Sequence, residues 1–184
     1  MLRLFVAVDL PASVQAATAA LCDGLEGARS VNPRQLHITL RFLGATPEER
    51  LSEIERCLAE VRAPAFLLAV QGVGVFPAGA RRPRVLWLGL EPAAPLAALK
   101  REIDRALDGE GETHPPVGKG EFRPHLTLAR FPTKPGQGLA AFLAQHANYC
   151  GAQWEVATFH LYMSTLHPSG ALHEKLATYG LGGI

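Results

Sequence analysis

Apolar and polar positions change rhythm along the chain, and the changes mark its elements. Residues 2–9 (LRLFVAVD) form a short apolar run that reads as a core strand, closed by Asp9 and Pro11. Pro11, at a first helical position, opens an Ala-rich stretch predicted helical to about Gly27. Residues 35–43 alternate as a strand, and Gly44 is expected to end it. Thr46-Pro47-Glu48-Glu49 reads as a capping box with Pro at the first helical position. It would launch a helix on which Leu51, Ile54, Leu58 and Val61 recur at helical spacing. Residues 66–76 and 84–90 read as strands joined by a Gly/Pro/Arg loop from Pro77 to Pro83. A helix from about Ala94 to Leu107, a loop from Asp108 to Pro124 and a strand ending at Phe131 follow. A helix from about Gln137 to His146 and strands near 152–163 and 171–178 complete the chain. Strands and helices do not alternate regularly enough for a doubly wound parallel sheet. The pattern predicts an α+β fold, one domain over residues 1–184, with two similar lobes that each back an antiparallel sheet with helices around a central cleft.

A four-residue phrase adds a reason for two lobes. His37-Ile38-Thr39-Leu40 returns as His125-Leu126-Thr127-Leu128, 88 positions later in a 184-residue chain. In a strand, successive side chains point to opposite faces. Each copy therefore sends Ile or Leu into a core and presents a His and a Thr together on the other face. An internal duplication, giving a bilobal pseudo-twofold arrangement, would place two histidines and two threonines in one cleft.

Composition narrows the partners. The 48% hydrophobic content suits a substantial core, and the formal net charge of +1 argues against a protein that holds long nucleic acid by neutralising phosphates. A small phosphorylated ligand or an RNA end remains compatible. Cys22, Cys57 and Cys150 are odd in number and far apart, which reads as unpaired thiols in a reducing cytoplasm. The N-terminal run is too short for a signal peptide, and the longest uncharged run, between Arg62 and Arg81, is broken by Pro and Gly, so no membrane segment is expected. A cytoplasmic monomer without metal or cofactor is the expectation. His114, His146, His160, His167 and His173 lack metal-ligand spacing. Gly72 and Gly74 are not followed by a Lys-Ser/Thr pair, so they are no phosphate loop.

Two histidines facing one cleft suit phosphodiester cleavage without a metal. An imidazole of pKa about 6.5 is present near neutrality in both forms, so one ring can take a proton from water while the other gives one to the leaving oxygen. Such acid–base help contributes roughly 10²–10⁴-fold. Thr39 and Thr127 hydroxyls can donate to the non-bridging phosphate oxygens, and Arg130 can add a positive fork. Arg130 lies five residues after His125, so strict alternation puts it on the wrong face unless the strand ends, twists or bulges. Arg41 shares the parity of His37 and Thr39 and is the alternative clamp. Phe42 shares parity with Ile38 and Leu40 and is expected in the core. Phe76, Trp87 and Tyr162 are expected to pack in the core or at the rim.

The paired His-x-Thr-x motifs resemble the two-histidine phosphoesterases, and the flanks resemble the bacterial and archaeal RNA 2',3'-cyclic phosphodiesterases, also called 2'-5' RNA ligases. The segments are 3–11 (RLFVAVDLP), 36–44 (LHITLRFLG), 83–89 (PRVLWLG), 122–130 (FRPHLTLAR) and 161–164 (LYMS). The resemblance implies a bilobal fold and hydrolysis of a 2',3'-cyclic phosphate, on RNA ends or cyclic nucleotides, to a 2'-phosphate without a metal. It implies that His37 donates a proton and His125 accepts one. The chain departs from many relatives in having Ser30 or Val31 where a Trp precedes the first motif. Two other activities use the same cleft: joining of RNA by a 2'-5' link in the reverse direction, and binding of phosphorylated nucleotides or RNA ends without turnover.

Overall fold

The computed structural model describes residues 1–21, 25–108, 122–167 and 170–182. In chain order the elements are β1 (Leu2–Asp9), α1 (Ala12–Ala20), β2 (Arg29–Ser30), β3 (His37–Thr46), α2 (Leu51–Ala59), β4 (Phe66–Phe76), β5 (Val85–Glu91), α3 (Ala93–Asp108), β6 (His125–Arg130), α4 (Gly138–His146), β7 (Trp154–Val156), β8 (Thr158–His167) and β9 (Gly170–Gly180). A four-stranded sheet runs β3-β1-β8-β9, and a five-stranded sheet runs β2-β6-β5-β4-β7. Every pairing between these strands is antiparallel. Cys22, His114 and most of the expected loop from Asp108 to Pro124 lie outside the described residues.

Helix α3 packs against β3, α2 against β9 and α3, and α4 against β4. The apolar stripe of α3 (Leu96, Leu99, Ile103) is at most 1% exposed, each side chain contributing about 1.5–3 kcal/mol of burial. Both motif strands feed the same core: Ile38 and Leu40 from β3, Leu126 and Leu128 from β6. The α+β architecture expected from the periodicity is therefore present, with antiparallel sheets and helical backing.

Four boundaries differ from the sequence pattern. Gly44 does not end its strand: it takes a positive φ of 72°, beside a register shift, and β3 continues to Thr46 opposite Leu2. Thr46 is buried there, its hydroxyl turned towards the Gly44 carbonyl, so no capping box forms and α2 begins after a 3-10 turn at Glu48–Arg50. The expected single strand near 152–163 divides at Ala157. Its first part, β7, joins β4, while β8 joins β1 in the other sheet. The first helix ends at Ala20, short of Gly27.

Candidate active site

The first motif strand lies at the edge of its sheet, the second lies next to the edge of the other, and the two approach one another between the sheets. Their local geometry is the same. In β3 the partners of β1 step from Ala7–Thr39 to Val6–Arg41, leaving Leu40 unpaired. In β6 the partners of β5 step from Trp87–Thr127 to Leu86–Ala129, leaving Leu128 unpaired. Each is a β-bulge placed one residue after the motif threonine, and a bulge reverses the alternation beyond it. Positions 37–42 and 125–130 consequently share one burial sequence, with two adjacent buried residues and then an exposed one.

This reversal decides which side chains belong to the site. Arg130 comes round to the face of His125 and Thr127, and its charge is felt by His37 and His173 in the other sheet. Arg41, in contrast, turns inward. Only 3% exposed, it donates to Asp104 (3.0 Å) and Asp108 (2.5 Å) and ties β3 to α3, so it is no phosphate clamp. Phe42 occupies the position in β3 that Arg130 occupies in β6. It is 50% exposed rather than buried in the core, with its ring 6.1 Å from that of Phe5.

Both motif histidines are fixed in the same tautomer. His37 Nδ1 lies 2.8 Å from the Gln35 carbonyl oxygen, and His125 Nδ1 lies 2.8 Å from that of Arg123. A carbonyl only accepts, so each Nδ1 carries the proton and each Nε2 is left for chemistry. The rings are also braced from the side. Phe5, centroid 4.9 Å away, and Tyr162, at 6.4 Å, back His37, while Phe76 meets His125 edge-on at 5.0 Å and stacks on Trp87. Gly74 lets Trp87 lie there, because a Cβ at that position would come within 2.2 Å of the indole. Tyr162 and Phe76 pack against the motif histidines and Trp87 stacks on Phe76, in keeping with the expectation of core or rim packing.

Burial disfavours the charged form of His37 most, and His173 and Arg130 act in the same direction. Together they outweigh the Gln35 carbonyl and Asp9 and hold its pKa at about 4. His37 is therefore neutral near pH 7. Asp9 lies opposite His37 in the sheet and accepts from Tyr162 Oη and Lys175 Nζ, each at 2.6 Å. Burial acts most strongly and raises its pKa, but these two hydrogen bonds and the charges of His160 and Lys175 together lower it more, so the carboxylate stays ionised. Asp9 and His173 were not readable as site residues. His173 is far along the chain from His37 and meets it only because β9 returns along β8. Among the described residues no group of three or more His, Cys, Asp or Glu is placed to hold a metal ion, and no helix is long and apolar enough to cross a membrane. Cys57 and Cys150 form no disulfide.

The model of the 2'-5' RNA ligase superfamily matches residues 4–167. The chain belongs to that superfamily. It is 33% identical to the RNA 2',3'-cyclic phosphodiesterase of Archaeoglobus fulgidus over 181 residues, covering 97% of this chain and 99% of that one. It is 34% identical to the RNA 2',3'-cyclic phosphodiesterase of Thermus thermophilus over 191 residues, covering 99% and 91%. Among solved structures, a protein of Thermus thermophilus has a TM-score of 0.79 at 30% identity, covering 98% of both chains. Escherichia coli LigT complexed with 3'-AMP has a TM-score of 0.75 at 26% identity, covering 99% of both. The superfamily fold thus extends over nearly the whole chain, including both motif strands.

Proposed function

We propose that this member of the 2'-5' RNA ligase superfamily, acting as a single domain, hydrolyses 2',3'-cyclic phosphate ends of RNA or nucleotides to 2'-phosphates, with His37 and His125 as the acid–base pair. The observation that carries the reading is the matched pair of bulged strands. They present His37 with Thr39 and His125 with Thr127 and Arg130, each histidine with Nε2 facing outward from a carbonyl-anchored Nδ1. The names of the Archaeoglobus and Thermus relatives support the substrate class.

The step balances on this chain's own groups. Water attacks phosphorus as His125 Nε2 takes its proton. The bond from phosphorus to the 3'-oxygen breaks, and His37 delivers a proton to that oxygen. The product is a 2'-phosphate monoester beside a 3'-hydroxyl. Thr39, Thr127 and Arg130 hold the non-bridging oxygens, where phosphoryl transfer needs charge stabilisation.

Donation by His37 requires that it gain a proton when substrate binds, because the free ring is neutral near pH 7. An anion within ~4–6 Å raises a neighbouring pKa by roughly 1–3 units. NMR titration of the His37 ring is expected to show a pKa near 4 in the free protein and a clear rise with a nucleoside 2'-phosphate bound. A value that does not move would reverse the two histidines' roles. The whole reading is tested by incubating EDTA-treated protein with a nucleoside 2',3'-cyclic phosphate and following products by phosphorus NMR. A 2'-phosphate is expected. A 3'-phosphate, or no product from either a mononucleotide or an oligoribonucleotide, overturns it.

A further inference from the structure

Strand β2 is two residues long, yet it adds a second arginine to the cleft face of β6. Its register sets Arg29 directly opposite Arg130 and Ser30 opposite Ala129. Directly paired residues of an antiparallel ladder share one face, with Cβ atoms about 4.5–5.5 Å apart. The bulge at Leu128 brings Arg130 to the face of His125 and Thr127, so Arg29 stands on that face too. The chain beyond β2 fixes the placement. The Val31 N–H donates to the Leu128 carbonyl oxygen (2.8 Å), and the Asn32 side chain accepts from the Arg34 N–H (3.0 Å). On its other side Arg130 pairs with Val85. Both arginines are exposed, and neither guanidinium makes an ion pair among the described residues. Glu26, the acid that precedes Arg29 most closely in the chain, lays its carboxylate against Gly136 instead. Like charges directly opposite one another destabilise a ladder. Among the described residues no carboxylate offsets that cost, and an anion between the two guanidinium forks would. The repeat has no second copy of this pair: β3 is an edge strand where β6 has β2 beside it, and Phe42 stands where Arg130 does.

Resting on the proposed function, we propose that Arg29 is a further substrate-contacting residue, which with Arg130 clamps the phosphoryl oxygens and takes up the negative charge that hydrolysis adds. The cyclic phosphodiester carries one negative charge. As water attacks and its proton passes to His125 Nε2, a second charge develops on the non-bridging oxygens. The 3'-oxygen then leaves with the proton from His37, and the monoester product bears two charges above its second pKa of about 6. A second guanidinium favours a state with two charges over a state with one. Arg29 therefore acts on the transition state and the product more than on the substrate.

The test separates these states at about pH 8, where the product is a dianion. Arg29→Gln is expected to lower the single-turnover rate on adenosine 2',3'-cyclic phosphate about tenfold, as for one charge-assisted hydrogen bond. It is expected to weaken adenosine 2'-phosphate binding, measured by calorimetry, by a similar factor, while KM for the cyclic phosphate changes little. Arg29→Lys keeps the charge without the fork and is expected to recover part of both losses. The thermal unfolding midpoint of Arg29→Gln is expected to hold or rise, because a like-charge pair is relieved. A guanidinium that merely pinned β2 would lower it. The proposal is overturned if Arg29→Gln keeps the wild-type rate and product affinity, if the effect falls on KM instead, or if the losses accompany a lowered midpoint. Wild-type protein that binds adenosine 2'-phosphate but hydrolyses no cyclic phosphate counts instead against the phosphodiesterase reading, and the calorimetric comparison then decides Arg29 by itself.

Discussion

Replacing either His37 or His125 by Ala is expected to lower kcat on a nucleoside 2',3'-cyclic phosphate by roughly 10²–10⁴-fold while leaving the protein folded. The size of the loss follows from the role: each ring moves one proton. Folding survives because both rings sit on the outward face of their strands, with partial exposure, while Ile38 and Leu126 beneath them carry the burial. The double variant should lose little more than either single one, since a pair acting as a unit is not additive. Circular dichroism melts alongside initial rates check both halves. Either variant turning over within tenfold of wild type would remove that histidine from the mechanism.

The second large effect is on stability, at Arg41. Its guanidinium is 1% exposed, whereas Asp104 and Asp108 are 30% and 38% exposed at their side chains. Removing both carboxylates in an Asp104→Asn/Asp108→Asn protein takes these two ion pairs from a buried cation. Breaking a buried pair costs roughly 3–5 kcal/mol, and partial exposure of the acids puts this case at about 3 kcal/mol. Arg41→Met removes the charge itself, leaves two carboxylates that reach water, and is expected to cost less. Urea unfolding of the two variants measures the difference. An Arg41→Met protein less stable than the double Asn variant would mean that the guanidinium's packing, not its pairing, holds β3 to α3.

Arg41 also shows where the sequence stops being legible. The strands, the α3 stripe and the paired motifs follow from periodicity, because packing rewards one face of each element. The faces beyond Thr39 and Thr127 do not. A single unpaired residue, Leu40 or Leu128, exchanges inside for outside. Reading by strict alternation therefore puts Arg41 in the cleft and Phe42 in the core, the reverse of the structure. Arg130 was readable only by allowing a bulge. Thr46 misled for a related reason: its capping-box context is local, while its pairing with Leu2 spans the chain from its start. His173 and Asp9 had no local signal, since their importance arises from distant pairings, His173 through β9 and Asp9 through its place opposite His37.

The sheet order has a consequence for synthesis. β1 and β3 pair early, but their sheet is completed only by β8 and β9, and β2 waits for β6. A nascent chain that has emerged only through α4 leaves the free edge of β1 without its second neighbour. Such unpaired edges invite wrong partners. Each motif histidine is thus on a strand made well before the chain can bury its scaffold, and the cleft becomes complete only when the last hairpin closes over Phe5.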